Sequence, residues 1–203
     1  MEKLEIAQKM CKLYKSYGVK SITMDDAARH LGISKKTLYA HFSDKTELVK
    51  ESVREEIKAK QKHFAVYAQK SDNALEELLE YYKIQIKMIF DYKPNFIYDL
   101  KKYYPDIYND YVNIKREKIL DSVEKNILKG ISEGFFRPDI DAGIISRLTL
   151  MRIEGMIHSG IFSIDEMMSP KVFTEIFIYH VYGIVTDKGR LYFENHKKKL
   201  TFR

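Results

Sequence analysis

The chain has 203 residues, 45% of them hydrophobic and 32% charged, with 4 prolines, 9 glycines and a formal net charge of +6. That is apolar enough for one medium domain, or a small domain fused to a larger one, and too poor in chain breakers to favour anything but long helices. It excludes several classes: no uncharged apolar run is long enough to span a membrane, the charged start MEKLEIAQKM is no signal peptide, and the lone Cys11 can form neither an internal disulfide nor a zinc cluster. A cytoplasmic protein without cofactor or metal is the expectation.

In chain order, residues 3–17 place Leu4, Ile6, Ala7, Met10, Cys11, Leu13, Tyr14 and Tyr17 at spacings of three and four. This predicts an amphipathic helix, stopped by Gly18 as a left-handed cap. Thr23 is placed to cap a second helix from Met24 to Leu31, with Asp25 and Asp26 in its first turn. Gly32 supplies a tight turn, and Ser34 caps a short helix from Lys35 to His41. Asp44 with Glu47 three residues on reads as a capping box for a long helix to about Gln69. Helices follow at 72–91, 96–103, 105–130, 141–160 and 170–185, with a short one at 187–196; Pro105 and Pro170 suit first-turn positions. No run alternates with period two for long, and no hairpin dipeptide appears, so the chain reads as all-α.

Function is carried by Gly18 to Val49. Two capped helices joined by a short turn containing glycine are the signature of a helix-turn-helix. Ala27, Ala28 and Leu31 let the first helix sit tightly on the second, Ile33 and Leu38 fill the angle, and Phe42 returns the chain to the core. The second helix then presents Lys35, Lys36, Thr37 and Tyr39 near its N-terminus, in the manner of a helix that enters the major groove. Residues 1–50 hold nine Lys and one Arg against six acids, so most of the excess positive charge gathers here. Lys35, Lys36 and Lys45 also stand at helix starts, against the dipole preference, as an anionic partner would require.

This stretch resembles the DNA-binding domain of the TetR family of bacterial transcriptional regulators, through Thr23, Ala27-Ala28, Leu31-Gly32-Ile33-Ser34, Thr37-Leu38-Tyr39, Phe42, Lys45 and Leu48. The segments 130–143 (GISEGFFRPDIDAG) and 183–189 (GIVTDKG) resemble that family's later connections more loosely. The resemblance implies a three-helix DNA-binding domain over 1–48 joined to a helical effector-binding and dimerisation domain over 49–203. It implies that Lys35, Lys36 and Thr37 face the groove, that Tyr39, Lys45 and His41 touch the DNA backbone, and that Thr23 and Ser34 sit where helix N-termini hold phosphate. Asp25 and Asp26 depart from the basic or neutral residues of some relatives. They serve either as helix-dipole partners, the favoured reading, or as a contact to a cytosine amino group.

In the body, residues 81–111 contain ten aromatics, where the chain average of 13% predicts about four. Such density suits either a pocket for an apolar or aromatic effector, with Tyr82, Ile86, Phe90, Phe96, Tyr104, Tyr108 and Met151 as lining, or a tyrosine-rich core. The last two long helices carry Ile144, Leu148, Met151, Phe173, Ile176, Phe177, His180 and Ile184, a stripe suited to a four-helix dimer interface. His158 and His180 read as core or interface histidines. A dimer would read two halves of a palindromic operator in double-stranded DNA. The expected function is therefore a homodimeric repressor released from DNA by a small molecule; the alternative is a DNA-binding protein of the same fold with no small-molecule effector, architectural or regulated by protein. No phosphate loop, metalloprotease or nucleophile motif is present, and an enzyme is not expected.

Overall fold

The computed structural model describes residues 1–90, 94–158, 160–167 and 169–197, excluding the side chains of 63–69, 85, 87–90, 94, 157, 158, 164 and 167. The helices are α1 (Lys3–Tyr17), α2 (Met24–Leu31), α3 (Lys35–His41), α4 (Lys45–Lys70), α5 (Ala74–Phe90), α6 (Pro94–Tyr103), α7 (Pro105–Ser132), α8 (Ala142–His158), α9 (Ile164–Met167), α10 (Pro170–Ile184) and α11 (Asp187–His196). Among the described residues there is no strand, only an isolated antiparallel bridge between Phe136 and Val185. The fold class is all-α, as expected. The element not expected is α9, a single turn too short for apolar periodicity to reveal.

The chain divides into two compact units, one of residues 1–63 and 93–115, the other of 64–92 and 116–203. In the first, α1 turns Ile6, Met10 and Tyr14 inward onto Val19, Ile22, Ala27, Ala28, Leu38, Phe42, Leu48 and Val53. This core also takes Phe96 and Leu100 from α6 and Ile107 and Tyr111 from α7. The head is thus larger than the helix-turn-helix alone. Burial of each such side chain contributes about 1.5–3 kcal/mol.

Asp99 of α6 is buried and accepts the backbone N–H of Lys20 at 2.8 Å, which ties α6 to the turn between α1 and α2. Gly18 stands in that turn at φ +83°, but with ψ 154° rather than the left-handed helical value expected of its cap. The conformation matches a close approach: a Cβ at Gly18 would lie 2.8 Å from the Asp99 carboxylate. Glu56 of α4 collects a second set of ties. It takes Lys15 at 3.0 Å, Lys60 at 3.1 Å and the Cys11 thiol at 3.4 Å, while Lys60 also reaches the Tyr111 hydroxyl at 3.3 Å. Burial and the Glu56 carboxylate push the Cys11 thiol up to about 12, so this cysteine is an inert core group.

The second unit packs Leu75, Leu79, Tyr82 and Ile86 of α5 with Ile119, Val123 and Ile127 of α7 and Phe177, Val181 and Ile184 of α10. Tyr82 stacks on Phe177 with ring centroids 4.0 Å apart, and Phe193 of α11 meets Phe177 edge-on at 6.3 Å. The two segments that loosely resemble family connections meet here. Arg137 N–H donates to the Ile184 carbonyl at 2.8 Å, Thr186 N–H to the Phe135 carbonyl at 3.0 Å, and the Thr186 hydroxyl to the Gly134 carbonyl at 2.8 Å. Closeness explains the glycine at 189: a Cβ there would stand 2.2 Å from the Phe135 carbonyl oxygen.

Candidate nucleic-acid interface

The head is built from helix caps outward. The Thr23 hydroxyl accepts the Asp26 N–H at 3.1 Å, while the Asp26 carboxylate takes the Thr23 N–H at 3.1 Å and its hydroxyl at 2.6 Å, a complete capping box. These bonds hold the Asp26 carboxyl below the usual range, the Thr23 hydroxyl contributing most. Gly32 ends α2 in the left-handed region at φ +65°, where its N–H reaches back to Ala28 and Arg29 carbonyls. Ser34 then caps α3 by accepting the Thr37 N–H at 3.0 Å. With Leu38 buried behind it, α3 turns its opposite side outward.

On that side the expected contact residues fall into two groups. Some are already engaged within the head: both donors of Thr23 go to Asp26, the Thr37 hydroxyl shares a 2.8 Å hydrogen bond with Ser34, and Lys35 Nζ lies 2.5 Å from Asp25. Asp25 and Asp26 thus act locally, as an ion-pair partner and a cap. The others stand open. Lys36 is exposed and has no carboxylate partner among the described residues, and Tyr39 is 48% exposed. His41, at the end of α3, is half-buried beside Phe42.

Lys45 opens α4 and is half-buried, with Nζ 3.4 Å from the Lys20 carbonyl. Burial lowers its pKa, against an upward pull from Asp99 and Asp26. An ammonium group at a helix N-terminus, held by a backbone carbonyl and with no ion-paired carboxylate among the described residues, is placed to meet an external anion.

Residues 11–52 match the family model described as bacterial regulatory proteins, tetR family. The helix-turn-helix segment is thus similar to the DNA-binding segment of that family. The fold of the whole chain agrees with solved TetR-family regulators. One from Cytophaga hutchinsonii superposes with a TM-score of 0.69 at 17% identity, covering 91% of this chain and 95% of that one. One from Marinobacter aquaeolei VT8 covers 100% of both chains with a TM-score of 0.67 at 18% identity. A ketosteroid transcriptional regulator of Mycobacterium tuberculosis, KstR2, gives 0.55 at 18% identity over 91% of this chain and 95% of that one. No curated protein matches the chain in sequence. Among the described residues no helix is long and apolar enough to cross a membrane, and no group of three or more His, Cys, Asp or Glu could hold a metal.

The residues expected to line a ligand pocket do not share one core. Phe96 is buried in the first unit and Tyr104 and Tyr108 pack against that core, whereas Tyr82 and Ile86 belong to the core of the second. Met151 is 65% exposed on α8, and the side chain of Phe90 lies outside the described residues, as does that of His158. Of the expected dimer stripe, Ile144 and Leu148 are exposed beside Met151, while Phe173, Ile176 and His180 are half-buried. Phe177 and Ile184 are buried within their own unit. Sequence reasoning missed Asp25 as the partner of Lys35, and it missed Arg152. The Arg152 guanidinium donates to the Ile176 carbonyl at 3.3 Å, and burial lowers its pKa.

Proposed function

We propose that this chain is a sequence-specific DNA-binding transcriptional regulator that acts as a homodimeric repressor and leaves its operator when a small effector binds. The observation that carries the DNA-binding part is the head itself: a capped α2–turn–α3 with Lys36 and Tyr39 outward and Lys45 at the start of α4, within a segment that matches the family. Thr23, Ser34, Lys35, Thr37 and His41 complete the contact set, and Lys35 must exchange Asp25 for DNA when it binds.

The dimer is supported by an apolar face on α8 and α10. Ile144, Leu148, Met151 and Tyr179 are all more than two-fifths exposed there, an arrangement that a monomer in water does not favour. The effector is supported by polar groups set among apolar ones in the second unit: the Tyr82 hydroxyl donates to Thr174 at 3.2 Å, beside Phe177, and Arg152 approaches from α8. An effector preferring one arrangement of this unit would shift the protein between binding and non-binding states by its differential affinity.

Selection of duplex sites from a random pool by the purified chain tests the reading. A palindromic consensus bound by two chains is the expected result, and changing Lys36 or Thr37 should alter its sequence rather than only its strength. Recovery of no consensus would overturn sequence-specific regulation. A small-molecule screen on the recovered duplex then separates an effector-released repressor from a DNA-binding protein without one.

A further inference from the structure

Several cations of the first unit are answered by a carboxylate: Lys3 by Glu47, Lys9 by Glu5, Lys15 and Lys60 by Glu56, Lys35 by Asp25, Arg29 by Asp26. Lys20 and Lys102 have no such partner among the described residues. Instead they converge on one ring. Lys20 Nζ lies 5.0 Å and Lys102 Nζ 5.4 Å from the centroid of Tyr103. Lys102 also donates to the Tyr98 hydroxyl at 3.0 Å, with its Nζ 5.3 Å from that ring. A hydrogen bond to Lys20, with Lys102 adding to it, holds the Tyr103 phenol below its usual range despite a smaller opposing pull from burial.

Two ammonium groups within about 5.5 Å of one ring centroid repel each other unless an anion joins them. The nearby acid does not play that part: Asp99 is buried and occupied by the Lys20 N–H. Phosphate oxygens placed between the two lysines would accept from both ammonium groups and from the phenol hydroxyl. The position suits DNA in particular. Lys45 touches the Lys20 carbonyl, and Thr23 at the start of α2 lies three residues beyond Lys20, so the cluster continues the surface already assigned to DNA.

We propose that the DNA-contact surface extends past the helix-turn-helix onto the C-terminal end of α6, where Lys20, Lys102 and Tyr103 hold a backbone phosphate of the flanking duplex. The inference rests on the DNA-binding reading above. The contact is independent of base sequence, because it involves no base edge.

The test uses the full chain, its selected site, and two duplexes: one ending at the site, the other extended by one helical turn on each side. Anisotropy titrations over a salt series compare the wild type with K20Q/K102Q. On the extended duplex the variant should bind roughly tenfold more weakly and lose about one unit of salt slope per protomer, with the selected sequence unchanged and little loss on the short duplex. Hydroxyl-radical footprinting should show flanking phosphates protected by the wild type and not by the variant. Both lysines are exposed, so the thermal melt of the variant should match that of the wild type. An unchanged slope and footprint would overturn the α6 contact while leaving the reading helix in place. So would loss of binding to an acidic polypeptide such as polyglutamate with DNA affinity intact, since the occupant would then be a protein. Failure of the wild type to bind any duplex would remove the DNA-binding reading itself, and this contact with it.

Discussion

The head and the second unit both bury apolar helix faces, but the polar groups set against those faces differ. In the head the ties are carboxylates. Asp26 closes a cap, Asp99 holds the α1–α2 turn, Glu56 gathers Lys15 and Lys60, and Glu47 joins Lys3 to Ser43. In the second unit carboxylates also tie α7 to α5 and α8, through Glu77–Lys129, Glu133 and Glu154–Arg116, but the polar groups gathered near Phe177 are neutral or cationic: Tyr82, Thr174, Arg152 and His180. The ties of Asp26 and Asp99 use backbone N–H groups close to the residues proposed to contact DNA, so the head's scaffold lies beside its proposed contact surface. Beside Phe177, burial instead disfavours charge on Arg152 and His180. Burial, with Arg152 adding to it, drops the His180 pKa to about 3.

The largest expected effect separates the units by their cores. Phe42 and Phe193 are both fully buried, one in each core. Phe42→Ala and Phe193→Ala should each cost about 3–5 kcal/mol. Chemical denaturation followed by hydrogen exchange should show the loss confined to the unit that carries the change. Equal loss of protection across both units in both variants would mean that the head and body unfold as one.

Glycine substitutions sharpen the contrast between close approach and backbone strain. Gly189→Ala drives a Cβ to 2.2 Å from the Phe135 carbonyl oxygen, a fixed backbone atom, and should destabilise the second unit by about 1–3 kcal/mol. Gly32→Ala meets no atom within 4 Å, but places a side chain at φ +65°, and should cost about 1–2 kcal/mol in the head. Thermal unfolding of the two variants measures both. If Gly32→Ala proved the costlier, backbone strain would outweigh the clash.

Acid should loosen the two regions at different pH. His180 has a depressed folded pKa, so its contribution is complete above the unfolded value of about 6.5 and is lost as pH falls from there towards 3, with a slope of at most about 1.4 kcal/mol per pH unit. Glu47 is held down to about 2 by Lys3 and Ser43, so its contribution is present above the unfolded carboxylate value of about 4.3 and is lost below it. Glu56 follows the same direction. Burial alone would raise it, and Lys60 and Lys15 outweigh burial. Denaturation at pH 7.5, 6 and 5 should show the second unit weakening first, and His180→Gln should flatten that dependence. An equal slope in wild type and variant would take His180 out of the account.

The smallest expected effect concerns the head's surface. Asp25→Asn releases Lys35 from an exposed pair of modest worth, which should tighten DNA binding by a few-fold and steepen the salt slope by up to about one unit per protomer. Weaker binding in this variant would show that Asp25 itself contacts the duplex, through a cytosine amino group.

Much of the head was legible because its signals are local. Thr23 and Ser34 cap helices three residues away, Gly32 takes the positive φ its turn demands, and α1 to α4 begin and end within a residue or so of their predicted bounds. Aromatic density over 81–111 was legible as a feature, but its division was not. Composition records how many rings a segment has, and cannot say that Phe96 faces the head while Tyr82 faces Phe177. The Asp25–Lys35 pair escaped notice for a related reason, since it joins two helices across a turn and has no periodic spacing.

By itself, then, the amino-acid sequence determined the longer helices, the Thr23, Gly32 and Ser34 caps, and the resemblance of the helix-turn-helix to the TetR family. Those features depend on interactions within four residues along the chain, and residue type and spacing encode them directly. Only the tertiary structure assigned α6 to the head, set Asp99 under the α1–α2 turn, and brought Lys20 and Lys102 from 82 positions apart onto one tyrosine. Such contacts depend on which apolar faces find each other over long stretches of chain, and no local pattern records that choice.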